Sequence, residues 1–259
     1  MDGNALIVVK LYLRKTNLLN LILSVFFINN KNVEIAINMI PFLAIQNTYS
    51  HLQIALFYNE QCIDLIQIDK FEASKKCIIT LDHLLQKHSL ALNDLAFIAA
   101  NQGPGPFTTL RVAISTINGL SFARKIPLIG IDAIQAFIHE YEKEPYGNKV
   151  VLLNAFGKDL YYGIQASSNN YFGCASIPAV LQEISQKTSA DSILFLGNGI
   201  DFCKQEIESR FSNRVYFLNP NPETVSINQI GLSALAHWKA QKNISYQLQP
   251  LYYKAAFIS

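Results

Sequence analysis

The chain has 259 residues, half of them hydrophobic and 15% charged, with 21 basic and 19 acidic side chains and a net charge of +2. That is enough apolar material for a sizeable core in one large or two small domains, which excludes a disordered chain. The surplus of positive charge sits in the first 38 residues (Lys10, Arg14, Lys15 and Lys31 against Asp2 and Glu34), and taking these from the totals leaves 17 of each sign from Met39 onward. A body so balanced lacks the clustered Lys and Arg needed to bind a nucleic-acid backbone alone.

Residues 1–38 form a leader. Asn17–Ile28 is strongly apolar and follows Arg14 and Lys15, the layout of a signal or anchor. It is short of the ~20 residues of a membrane span, Asn17 and Asn20 interrupt it, and Asn29–Asn32 offers no small-residue cleavage pattern. The expectation is that Met39 is the true start, with the leader upstream sequence read in frame or disordered. A membrane anchor and an extra structural element remain the alternatives.

From Met39 the chain reads as two lobes, 39–145 and 146–259. Strands are expected at Ile40–Gln46, Leu52–Tyr58 and Cys62–Ile68, the last two close enough for a hairpin. Ser74–His88 switches to helical spacing through Cys77, Ile78, Leu81, Leu84 and Leu85. Leu95–Ala100 reads as a strand buried on both faces. A Gly-Pro turn, a helix to about Arg124, a strand at Pro127–Ile131 and a helix at Asp132–Glu142 follow. The polar stretch Glu142–Asn148 marks the lobe boundary. Strands recur at Lys149–Asn154, Leu160–Ala166 and Tyr171–Ala175. Then come a helix at Pro178–Lys187, a strand at Ser192–Leu196, a helix from Gly197 to Arg210 and a strand at Val215–Leu218. A last helix runs to Gln241, capped by Ser226 and carrying Ile230, Leu232, Ala236 and Trp238. Strands followed by alternating helix and strand indicate α/β lobes with mixed sheets.

The turn Gly103-Pro104-Gly105-Pro106 is held out of the helix until Pro106 is passed, and Thr108 or Thr109 is placed to cap the helix that follows. Glycines at a helix N-terminus can cradle an anion on backbone N–H groups, so Gly103, Gly105, Thr108 and Arg111 form a candidate anion or nucleotide loop. A tight ligand-free turn is the competing reading. Arg111 in the first helical turn would oppose the helix dipole unless a carboxylate, phosphate or partner offsets it. No charge appears from Val112 to Ala123. Leu110, Ala113, Ile114, Ile117 and Leu120 form a core stripe, and Val112, Ser115, Thr116, Gly119 and Phe122 form a second face with no polar character to suit water. Either the helix is central to a large core or that face meets another subunit.

The four cysteines (62, 77, 174, 203) contain no CxxC pair, and the five histidines (51, 83, 88, 139, 237) no HExxH or HxExH. Buried, reduced thiols in the cytoplasm are expected, with no metal site and no cofactor.

The run GPGPFTTLRVAISTINGLSFA resembles the GPGSFTGLRIG-x-A-x-x-x-GLA signature of the bacterial TsaB (YeaZ) family. Phe42–Ile45 is similar to that family's opening strand, Asn154-Ala155 with Lys158–Tyr161 to its DAR-x-x-E-x-Y segment, and Pro250–Lys254 to its closing P-x-YLR. The resemblance implies a two-lobed actin-like, Hsp70-like ATPase (ASKHA) fold with duplicated mixed-sheet lobes. It also implies a non-catalytic relative of TsaD that pairs with a TsaD-like threonylcarbamoyltransferase and, with a TsaE-like ATPase, serves formation of threonylcarbamoyladenosine beside the tRNA anticodon. Transfer RNA would be met only through the complex, and a homodimer is the competing association. Pairing through the first lobe's helices would use Cys77, Leu81 and Leu84 together with Val112, Ser115, Thr116, Gly119 and Phe122. Gln46 stands where the family carries Asp, Asn154 and Phe156 replace Asp and Arg, and Pro106 and Thr109 replace Ser and Gly. The alternative is an ATP-dependent carbamoyl- or phosphoryl-transfer enzyme or a metallohydrolase of the same fold, for which Asp132, Asp159 and Asp201 are the scattered carboxylate candidates.

Overall fold

The computed structural model describes residues 39–166, 169–188 and 191–253. The leader 1–38 and Lys254 of the closing motif lie outside the described residues.

The first half opens with an antiparallel meander, β1 (Pro41–Asn47), β2 (His51–Tyr58) and β3 (Gln61–Asp69). Alternation sorts β1 between two cores. Phe42 and Ala44 face the space between the lobes, while Leu43 and Ile45 face outward beneath α1 (Ala73–Lys87) and α2 (Phe107–Arg124). Between these helices runs β4 (Phe97–Gly103), parallel to β1 and buried almost throughout, as a strand covered on both faces must be. Next come β5 (Leu128–Asp132), parallel to β4, and α3 (Ala133–Glu140).

The second half repeats this order. A meander of β6 (Asn148–Asn154), β7 (Asp159–Ala166) and β8 (Asn169–Ser176) leads to α4 (Ile177–Lys187) and then to β9 (Ile193–Leu196), parallel to β6. A 3₁₀ turn at Asn198–Phe202 precedes α5 (Lys204–Phe211), so the helix expected from Gly197 is split. After β10 (Val215–Phe217), Ser226 caps α6 (Ile227–Lys239), its hydroxyl accepting from the Gln229 amide at 3.1 Å. The sheet orders are β11-β5-β4-β1-β2-β3 and β10-β9-β6-β7-β8, where β11 is Ile244–Ser245.

Assigning all of 146–259 to the second lobe needs correction. The chain crosses back after β10: α6 packs on β1, β4 and β5, and β11 pairs with β5. Conversely, α3 packs on β6 and β7. The third helix of each half thus fills the layer between the sheets, in a core built around Phe42, Phe57, Phe97, Phe137, Leu153 and Ile230. On α6, Ile227, Ile230, Gly231, Ala234 and Leu235 are buried, whereas Leu232 and Ala236 face out. A Cβ on Gly231 would come within 2.6 Å of the Phe57 ring, so only glycine lets α6 lie this close to β2. Cys77 and Cys203 are buried, as expected of the thiols, but Cys62 is exposed and Cys174 half-buried. Among the described residues no helix is long and apolar enough to cross a membrane.

Candidate functional site

In the Gly-Pro turn the first glycine amide is committed within the protein. Gly103, at φ +113°, donates its N–H to Asn101 Oδ1 at 2.8 Å, and a side chain there would strike the Leu251 carbonyl. Gly105 borders open space and Thr108 is exposed. Neither threonine caps α2. Pro106 is the N-cap, no side chain accepts from the first turn, and the Thr109 hydroxyl instead donates back to the Pro106 carbonyl at 3.2 Å. The turn's demonstrable work is to let the C-terminal segment cross. Leu251 N donates to Gln102 O at 2.8 Å and Gln102 Nε2 to Gln249 O at 2.7 Å.

Arg111 is the fifth helical residue, not part of the first turn, so the dipole penalty is smaller than expected. Its guanidinium carbon lies 3.7 Å from the Phe107 ring centroid, one turn earlier, and its Nε donates to the Tyr252 hydroxyl at 2.8 Å. Nothing in the sequence links residues 141 positions apart, so this partnership could be found only from the fold.

The core stripe of α2 is Leu110, Ala113, Ile114, Ile117 and Ser121. Leu120 is only partly buried. Ser121 takes the deep position because its hydroxyl reaches the Ile126 carbonyl at 2.7 Å and the Tyr246 carbonyl at 3.0 Å. The described chain covers the second face only in part. Ser115 and Gly119 are exposed, Val112 and Thr116 half-buried, and Phe122 is 78% exposed. A Cβ on Gly119 would meet nothing within 4 Å.

The α1 assignment is corrected. Cys77, Leu81 and Leu84 are sealed beneath the helix, at 1%, 2% and 0% exposure, and pack with Leu43, Ile54 and Ile117. Burial raises the Cys77 thiol to a pKa of about 11. Side chains at these spacings point into the lobe, and a partner cannot reach them. The exposed apolar residues of α1 are Ile78 and Ile79, with Phe71 just ahead of it. Ile78 belongs to this outer set and not to the core stripe. The run of three consecutive apolar residues, Cys77, Ile78 and Ile79, was the available signal, since it is wider than one helical stripe can bury.

On the inter-lobe side, the positions that depart from the family pattern are committed to internal bonds. Gln46 is buried and donates from Nε2 to the Val225 carbonyl at 2.7 Å. Asn154 Oδ1 accepts from Phe156 N at 2.8 Å, and its carbonyl accepts from the Tyr49 hydroxyl at 2.8 Å. Tyr49 therefore bridges the lobes, and burial drives its pKa far above the usual phenol value. Asp132 caps α3 through Ile134 and Gln135 and accepts from the Tyr253 hydroxyl at 2.5 Å. It lines an open cleft of about 820 Å³ with Gln102, His139, Glu142 and His237, a feature the sequence did not announce. Asp159 begins β7 and Asp201 lies exposed in the 3₁₀ turn, so the three carboxylates sit on separate elements. Among the described residues no three His, Cys, Asp or Glu side chains form a group that could hold a metal ion.

Two sheets of one repeated order, with the third helix of each half between them, define an actin-like two-lobed protein. The family model described as tRNA N6-adenosine threonylcarbamoyltransferase, TsaD, matches residues 72–250. The chain belongs to this family. It is 24% identical over 189 residues to the tRNA threonylcarbamoyladenosine biosynthesis protein TsaB of Buchnera aphidicola subsp. Schizaphis graminum, covering 71% of this chain and 90% of the relative. The Haemophilus influenzae protein of the same name is 26% identical over 121 residues, covering 46% and 51%. The crystal structure of YeaZ from Pseudomonas aeruginosa shares the fold, with a TM-score of 0.61 and 19% identity over 83% of this chain and 100% of that one.

Proposed function

We propose that this chain is a non-catalytic subunit of an assembly that forms threonylcarbamoyladenosine in tRNA, pairing with a TsaD-like threonylcarbamoyltransferase through the outer faces of α1 and α2. Membership of the TsaD family and similarity to TsaB proteins support the place in tRNA modification. A TsaE-like ATPase serves the same cytoplasmic complex, and tRNA is met only through it.

The observation that carries the pairing is the uncovered apolar surface of the first lobe. Phe122, Ile78, Ile79 and Phe71 stand exposed around an α2 face without charge from Val112 to Ala123. Each such side chain, once fully covered, contributes roughly 1.5–3 kcal/mol relative to exposure, and Ser115 and Gly119 between them allow a partner helix to approach closely. The non-catalytic reading rests on Gln46 and Asn154. Neutral amides give a hard cation no charge, and the Asn154 oxygen already accepts from Phe156 N.

The test is to mix the purified chain with the TsaD-like subunit of its own source and measure mass by sedimentation. A one-to-one complex at micromolar concentration is expected. A chain that stays monomeric, or pairs only with itself, would contradict the proposal.

A further inference from the structure

We propose that Phe107, Arg111 and Tyr252 form the charged anchor of this docking surface and receive an acidic side chain of the TsaD-like subunit. The inference rests on the docking role proposed above and adds the chemistry that the partner must bring to one spot.

Arg111 and Arg124 are the only charged residues of α2, and Arg111 stands at the end nearer the Gly-Pro turn. The Phe107 ring stacks on one side of its guanidinium at 3.7 Å, and the Tyr252 ring centroid lies 5.7 Å away. The two rings are 5.6 Å apart. The Tyr252 hydroxyl also accepts a hydrogen bond from Nε. The long side chain is thus fixed before any partner arrives, which removes much of the ordering cost that makes surface ion pairs weak. Among the described residues no carboxylate pairs with Arg111. With Nε held by Tyr252, the two terminal nitrogens are the edge left for a planar, two-oxygen acceptor.

The shape around it agrees. A notch of about 480 Å³, lined by Phe107, Thr108, Arg111, Val112, Ser115 and Thr116, opens onto the uncharged face of α2. Its lining holds one cation and otherwise apolar or hydroxyl groups. A single positive charge matches one carboxylate, and the neighbouring Gly103 amide is already taken. Tyr252 belongs to the segment that straps back over α2. Asn118 fixes that strap by exchanging hydrogen bonds with the Leu248 backbone, both at 2.9 Å. The end of the chain therefore helps to build the anchor.

Calorimetric titration with the purified TsaD-like subunit, at about 0.05 M and about 0.5 M salt to vary screening, separates the possibilities. Arg111→Ala is expected to weaken binding by about 30-fold or more and to remove most of its salt dependence. Arg111→Lys, which keeps the charge without the fork, should weaken it by about tenfold, and Tyr252→Phe by a few-fold. Thermal melting of each variant reports folding, and Tyr252→Phe keeps the test open should Arg111→Ala misfold. Wild-type affinity for Arg111→Ala, alongside loss of binding by Gly119→Arg, would overturn the anchor and leave the docking face standing. Wild-type affinity for both variants would remove the docking reading and the anchor with it. Titration of the isolated chain with inorganic phosphate or ATP is expected to give no heat. Tight binding that Arg111→Ala abolishes would make the notch a small-anion site and overturn the proposal.

Discussion

The two lobes solve the same packing problem with the same element order, yet their outer helices end differently. In the second lobe, α4 and α5 bury Val180, Leu181, Ile184, Ile207 and Phe211 and turn Lys187, Lys204, Glu206, Glu208 and Arg210 to water. Arg210 reaches Ser185 at 2.9 Å, tying the two helices across a polar surface. In the first lobe, α1 and α2 bury an equivalent layer, but the face left outside carries Ile78, Ile79, Gly119 and Phe122. Lys75, Lys76 and Asp82 remain as a charged margin on α1. The fold requires only the inner stripe. The outer one is free to vary, and the difference between the lobes locates the surface that a partner fits.

Several substitutions can break or sharpen this contrast. Leu84→Ala should show the largest loss of stability, about 2–5 kcal/mol by denaturant unfolding, because it opens a cavity in a sealed layer. A neutral result would return Leu84 to the surface. Ile79→Ser should leave the monomer within about 0.5 kcal/mol of wild type and still weaken pairing by about tenfold, one covered apolar side chain being worth that much. Gln205→Ser, on the outer face of α5, should change neither quantity. Smallest of the measurable effects is that of the Asp64 cluster, which joins β3 to the end of α1. Lys87 and His88, at 2.7 and 2.8 Å, lower its pKa to about 2. A lowered carboxylate pKa adds stability that is complete above the unfolded value of about 4. That increment disappears as the pH falls through about 2. For so open a pair it is less than about 1 kcal/mol. Asp64→Asn should therefore flatten the stability profile over that acid range and leave it parallel to wild type above it.

Much of the architecture was legible because the apolar period switches cleanly between strands and helices. The meander of β1 to β3, the crossover helices and the parallel pairing of β4 follow from that pattern. The errors have physical origins. Gly231 looks unlike a core residue, yet it lies on the buried face of α6, where its missing side chain makes room for Phe57. Cys77, Leu81 and Leu84 mark the helix that carries exposed apolar residues, but at those positions the chain faces inward. Assignment of the second lobe failed after residue 226 because crossing back to β5 depends on long-range pairing with no local signal. Arg111 was recognised as unusual from its place near a helix start. Its partner Tyr252 was hidden by the strap geometry.

The central claim is that the uncharged face of α2 is a docking surface and not a core face. Gly119→Arg tests it most directly, because a side chain at that position meets no atom within 4 Å of its first carbon and replaces the least favourable non-proline residue of the helix. Measured together, unfolding and calorimetric titration with the TsaD-like subunit should give a monomer at least as stable as wild type, by up to about 1 kcal/mol, and pairing weakened beyond about 100-fold, since an Arg would be buried unpaired in the contact. A variant that unfolds, or one that pairs with unchanged affinity, would contradict the account.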